Sequence, residues 1–220
     1  MDTSTSVCSV ALLRESIVES EINIAVKAGH AGRILPVIDR LLEITSTQKD
    51  DLELIAVGCG PGSFTGIRIG IATAKGLSMA LGCPITGISS LDALAYAAVP
   101  STMPVMPVID ARKSEIYCCL YSAEGLQQTP YMNIRPEEAV RIVKEETLFL
   151  GNGVSLYEEV LQESLGSRFV RGPKSLWNPR ASVIGCMAED RIARDQKGDV
   201  EPIYVRASDA TLTLKKNLQE

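Results

Sequence analysis

The sequence predicts an α/β chain of two lobes, with mixed sheets that each open on an antiparallel meander and are flanked by helices. Three observations carry this expectation. Apolar residues alternate through 7–13 and recur through 17–24, with only the turn Arg14-Glu15 and Ser16 between them, a link too short for anything but antiparallel neighbours. At 54–57 a β-branched run leads into a glycine-rich turn and then a helical period to Leu81. After a stretch dense in proline, the meander pattern starts again near Val105.

Taken in order, Val7, Ser9, Ala11 and Leu13 share one face of a strand, and Ile17, Val18, Ile22 and Ile24 supply its partner. The period changes over 31–44, where Ile34, Leu35, Ile38, Leu41 and Leu42 form a wide helical stripe with Pro36 in an early turn. Strand 54–57 feeds the turn Gly60-Pro61-Gly62-Ser63-Phe64-Thr65-Gly66, and the helix that follows ends at Gly82. A short strand at 84–88 and a short helix at 90–96 come next. Prolines 100, 104 and 107 then mark a linker, because they can continue neither a helix nor a central strand.

Beyond it, strands are expected at 105–110 and 116–121, a helix at 136–145, a strand at 147–150 and a helix at 156–161. Gly151-Asn152-Gly153 makes the turn between the last two. The final amphipathic helix covers 180–193, residues 202–206 dock, and 212–220 fray. The expected lobes are 1–102 and 103–220, with the last helix able to pack back on the first lobe. Asp2 before a strand and a turn, and Asp110 before another, form a weak internal repeat.

Bulk properties narrow the function. The 220 residues are 45% hydrophobic and 22% charged, as in a globular protein, and carry a net charge of −5. A broad phosphate-gripping face is therefore not expected, and any contact with RNA is indirect. The six cysteines include no CxxC pair, which points to reduced core thiols. With polar residues 2–6 and no apolar run of about 18, the expectation is a cytoplasmic protein without membrane contact.

The glycine-rich turn can leave backbone N–H groups at a helix start, where an anion or a partner's carboxylate would sit. It is not a Walker loop, since Ile67-Arg68 follow Gly66, and it does not fit GxGxxG. Asp2 is placed as an ATPase's metal-binding aspartate would be, yet Thr3-Ser4-Thr5-Ser6 lacks the glycine of a phosphate loop. Gly151-Asn152-Gly153 could approach an adenosine, although a plain strand-to-helix turn explains it. One histidine, His30, cannot build a nitrogen-ligand set and fits helix capping better. No catalytic residue, metal site or cofactor is expected.

GPGSFTGIRIG at 60–70 resembles TsaB (YeaZ), the non-catalytic relatives of TsaD in tRNA threonylcarbamoyladenosine synthesis. Asp2-Thr3-Ser4, His30 before Ile34-Leu35-Pro36, Ser89 to Ala95, and Ile109-Asp110-Ala111-Arg112 support the likeness. The family's first strand normally has several apolar residues before the aspartate, which here is residue 2. The resemblance implies a two-lobed actin-like ATPase (ribonuclease H-like) fold and a scaffold or activator role. Such a subunit dimerises with TsaD, helps recruit TsaE, meets tRNA through the complex and can pair with itself. The partner interface it implies is a helix pair bearing Ile34, Leu35, Ile38 and Leu42 on one helix and Ile67, Gly70, Ile71, Ala74, Leu77 and Ser78 on the other. The alternative is a stand-alone actin-like ATPase or kinase, or a metal-dependent glycopeptidase-like enzyme.

Overall fold

Two residues at the N-terminus hold the first sheet together. In the computed structural model, which describes residues 1–26, 31–196 and 200–206, β1 (Val7–Arg14) and β2 (Ile17–Ala25) form an antiparallel hairpin. Both residues of its tight turn, Glu15 and Ser16, take positive φ, the turn geometry whose twist matches that of the strands. β3 (Ile55–Gly58) and β4 (Ile85–Ile88) are parallel. Asp2 bridges Ser9 of β1, while the Met1 carbonyl accepts a hydrogen bond from Gly58 of β3. The order in space is β2, β1, the Met1-Asp2 stub, β3, β4.

The second sheet repeats this plan at full length. Its order is β7-β6-β5-β8-β9, from β5 (Val105–Arg112), β6 (Glu115–Cys118), β7 (Met132–Ile134), β8 (Thr147–Leu150) and β9 (Phe169–Arg171). β5 and β6 are antiparallel and joined by Lys113-Ser114, again at positive φ, whereas β8 and β9 run parallel to β5 and to each other. Asp110 lies on the central strand as Asp2 does in the first sheet. The weak repeat in the sequence is thus a repeat of topology.

Apolar faces on both sides of each sheet dictate the layers. On one face of the first sheet, α1 (Ala31–Thr45) packs Ile34, Val37, Ile38, Leu41 and Leu42 against Cys8 and Val10. Beside it, α2 (Phe64–Leu81) packs Ile67, Ile71 and Ala74 against Ile55, Val57 and Cys59. Each fully buried Leu or Ile contributes roughly 1.5–3 kcal/mol. On the other face lie α3 (Ser90–Tyr96) and α5 (Ala181–Ala193), where Ala93, Ile184 and Ala188 meet Ile88. α3 also buries Leu91 and Leu94 against Val105 and Ile109 of the second sheet, so it is shared. α4 (Asn152–Leu165) closes the far side on Met106, Val108 and Phe149.

Two local expectations are corrected. Pro107 lies inside β5, a central strand. It is tolerated because the partner ladder lapses there: β5 pairs with β6 at Val108–Cys118 and resumes at Val105–Tyr121, leaving the position opposite Pro107 unpaired. For the same reason the strand expected over 116–121 stops at Cys118. The helix expected over 136–145 is a 3-10 turn at Pro136–Arg141, which buries only Pro136 and Ala139 and so lacks an apolar stripe long enough to hold an α-helix. His30 and residues 212–220 lie outside the described residues.

Candidate functional site

The glycine-rich turn was expected to leave room for an anion, but the chain's own N-terminus fills it. A Cβ on Gly62 would sit 2.3 Å from the Ser4 carbonyl oxygen, one on Gly66 2.0 Å from that of Thr3, and one on Gly70 2.5 Å from the Thr3 hydroxyl. These glycines exist to let Thr3-Ser4 lie on the start of α2. The Ser63 amide donates to the Ser4 carbonyl at 2.7 Å, and the Thr3 hydroxyl donates to the Gly66 carbonyl at 2.7 Å. Ser63 caps the helix by accepting from the Gly66 amide. The Ser63 and Gly66 amides, donors that could have faced a phosphate, are thus engaged by the protein itself.

Asp2 is equally committed. It is buried, and its carboxylate accepts from the Ser4 amide (2.9 Å), the Ser4 hydroxyl (2.8 Å) and the Ser90 hydroxyl (2.9 Å). Burial pushes the carboxyl above its ordinary range, opposed by those hydrogen bonds. A Cβ on Gly58 would fall 1.9 Å from its Oδ2. The side chain therefore ties the stub to α3 through Ser90 and lies close against Gly58 of β3.

The matching position in the second lobe is built in the same way. Asp110 accepts from the Arg112 amide at 2.9 Å and the Tyr157 hydroxyl at 3.1 Å, and its own amide donates to the Asn152 side chain at 3.2 Å. Gly151 has φ +99°, and a Cβ there would meet the Val108 carbonyl at 2.2 Å. Gly151-Asn152-Gly153 is accordingly a close strand-to-helix crossing.

A cavity of about 340 Å³ lies beyond the carboxyl ends of β3 and β4, lined by Ser89, Asp92, Tyr131, Arg191 and residues 201–203 among others. Asp92 of α3 accepts from the Tyr121 hydroxyl (2.6 Å) and the Tyr131 hydroxyl (2.7 Å), and lies 3.7 Å from Arg191 of α5. Burial raises both phenols above their usual range, and the adjacent Asp92 charge adds to it. Asp92 thus forms a polar latch from α3 to Tyr121 and Tyr131 beside the cavity.

Most of the residues expected at a partner interface are turned inward within this chain. Ile34, Ile38, Leu42, Ile67, Gly70, Ile71 and Ala74 are buried against the first sheet, and Leu77 and Ser78 are half-buried. Only Leu35 of the expected interface residues is fully outward, at 50% exposure. The reason is that the sheet takes the most apolar stripe of each helix, and Ile69 and Leu77 pack towards α1. What α2 shows to solvent is Phe64, Thr65, Arg68, Ala72, Lys75, Gly76, Met79 and Ala80. Met79 is 85% exposed, and a Cβ on Gly76 would touch nothing. Ala72, Gly76 and Ala80 recur at i, i+4 spacing as a small-residue ridge, a weaker pattern in the sequence than the apolar stripe beside it.

Duplicated sheets of this order, with helices between and around them, define an actin-like, ribonuclease H-like chain. A family model described as "TsaD: tRNA N6-adenosine threonylcarbamoyltransferase" matches residues 18–213. Among curated proteins, the tRNA threonylcarbamoyladenosine biosynthesis protein TsaB of Bacillus subtilis is 35% identical over 96% of this chain and 94% of its own length. TsaB of Haemophilus influenzae is 30% identical, over 94% of this chain and 92% of its own. The solved structure of YeaZ from Pseudomonas aeruginosa superposes with a TM-score of 0.78 at 31% identity, covering 92% of this chain and 96% of that one. The chain belongs to the TsaB (YeaZ) family, within the wider group that the TsaD model describes.

Proposed function

We propose that this protein is a non-catalytic subunit in tRNA threonylcarbamoyladenosine synthesis, which docks on TsaD through the outward face of α1 and α2. The observation that carries the reading is that face: Ala72, Gly76 and Met79 are exposed on α2, as is Leu35 on α1. Small residues let another helix approach closely, and the large side chains on either side supply apolar contact once water is excluded. A matching helix pair from TsaD would complete a four-helix bundle. A second copy of this chain would use the same face when TsaD is absent, and TsaE would join the assembled pair. TsaD would transfer threonylcarbamoyl to N6 of the adenosine beside the anticodon, and the free energy of docking would bias it toward its competent conformation. tRNA would be met through the complex, in the cytoplasm.

The non-catalytic part of the reading is supported by Asp2, which accepts three hydrogen bonds within the fold, and by the turn at 60–66, whose Ser63 and Gly66 amides are used there. Reconstitution of the tRNA modification with TsaD and TsaE tests the whole. Omission of this chain should abolish the modified nucleoside, and Ala72→Arg should do the same without unfolding it. Steady nucleotide turnover by the isolated chain would overturn the proposal.

A further inference from the structure

Residues 200–206 form a strap along α2 on the side opposite α1. The Ile203 amide donates to the Cys59 carbonyl at 2.8 Å, Glu201 pairs with Lys75 at 2.8 Å, and Arg206 pairs with Glu115 of β6 at 2.9 Å. The exposed ridge of α2 therefore runs between α1 on one side and the strap on the other. At the strap's edge, Arg68 lies with its guanidinium 3.7 Å from the centre of the Phe64 ring, and its Nε donates to the Tyr204 hydroxyl at 2.9 Å. The two rings are 5.3 Å apart and each is close to half exposed. Among the described residues, Arg68 has no carboxylate partner.

We infer that Phe64, Arg68 and Tyr204 form the specificity hot spot of this face and receive a carboxylate side chain from a helix docked on Ala72 and Gly76. The inference rests on the docking reading above and adds to it the charge the partner must carry. Arg68 is the appropriate group because its terminal nitrogens are free to form a forked pair while stacking and the Tyr204 bond fix its plane. A side chain held before binding loses less freedom on binding. Arginine and tyrosine are also the residues that dominate interfaces when aromatic neighbours exclude water around them. An unpaired guanidinium selects an acidic partner, and a floor of small residues selects a helix.

The test is titration calorimetry of the full chain with TsaD at two salt concentrations. Arg68→Ala should weaken binding roughly 10- to 100-fold, the effect of losing a hydrogen-bonded charge partner, and should flatten the salt dependence. Arg68→Lys should not restore affinity, because an ammonium neither stacks nor forks. Tyr204→Phe should give an intermediate loss. Both sites are exposed, so thermal melts should stay unchanged. Affinity of Arg68→Ala within about twofold of the parent, while Ala72→Arg prevents binding, would overturn the inference and leave the docking reading standing. If Ala72→Arg also binds normally, both fall. Unchanged TsaD affinity with weaker tRNA retention by the complex would assign Arg68 to a phosphate and overturn it too.

Discussion

Ala72 and Ala74 lie two residues apart on α2 and should respond to charge in opposite ways. Ala74 is fully buried among Val57, Cys59, Ile67 and Ile71, so Ala74→Glu inserts a carboxylate into an apolar cluster. An unpaired buried ion costs several kcal/mol even after relaxation, and overpacking adds about 1–3 kcal/mol. The total stability of such a domain is about 5–15 kcal/mol. The variant should therefore lose its cooperative melt and never reach the stage of binding. Ala72 is exposed, and Ala72→Arg should leave stability within about 0.5 kcal/mol while preventing co-elution with TsaD, since the long side chain fills the helix seat. Circular dichroism melts of the isolated proteins, followed by gel filtration with TsaD, measure both. A folded Ala74→Glu protein with an unchanged melt would show that the inward and outward faces of α2 are misassigned.

Three further outcomes follow from single sites. Gly66→Ala should destabilise by about 1–3 kcal/mol through its clash with the Thr3 carbonyl, whereas Gly76→Ala should stabilise the isolated chain by about 0.5–1 kcal/mol, as helix propensity dictates; equal shifts in denaturant midpoint would refute the packing of the N-terminus on α2. Asp2 titrates above its unfolded value of 3.8, so the native state takes up its proton first and its contribution to stability improves as pH falls through the folded pKa. Asp2→Asn should flatten that part of the curve in urea melts, and an unaltered slope would count against a buried carboxylate. Burial alone would raise the Glu21 carboxyl, but the Ser182 amide, Arg180 and the Ser182 hydroxyl outweigh it and leave it below its ordinary value of 4.5. It should therefore stabilise above that value, with loss as pH falls through the folded pKa. Glu21→Gln should cost roughly 1.5 kcal/mol at pH 7, and an acid limb of the stability curve identical to the parent's would exclude this role.

Local pattern carried the elements whose physics is local. The alternation in β1, the helical stripe of α1 and the glycine stop of α2 at Gly82 are read from a few neighbouring residues, and each stands where the period put it. Pro107 and the short turn at Pro136–Arg141 did not follow this rule. A proline in a strand is judged by which edge its missing N–H faces, and a helix of moderate propensity by what it can cover.

By itself, then, the sequence determined the class of fold, the family, and the fact that the helix pair is richer in apolar and small residues than solvent exposure requires. Which side of each helix faces the sheet was decided only in three dimensions, because α2 carries alanine, glycine and isoleucine on several sides and periodicity cannot rank them. The fate of Asp2 was likewise settled by Ser90, far along the chain, and by Thr3-Ser4 lying across the glycines of α2. The strap and its arginine stack join positions 68 and 204. Contacts of that separation arise from packing and closure of the whole chain, and no window of neighbouring residues contains them.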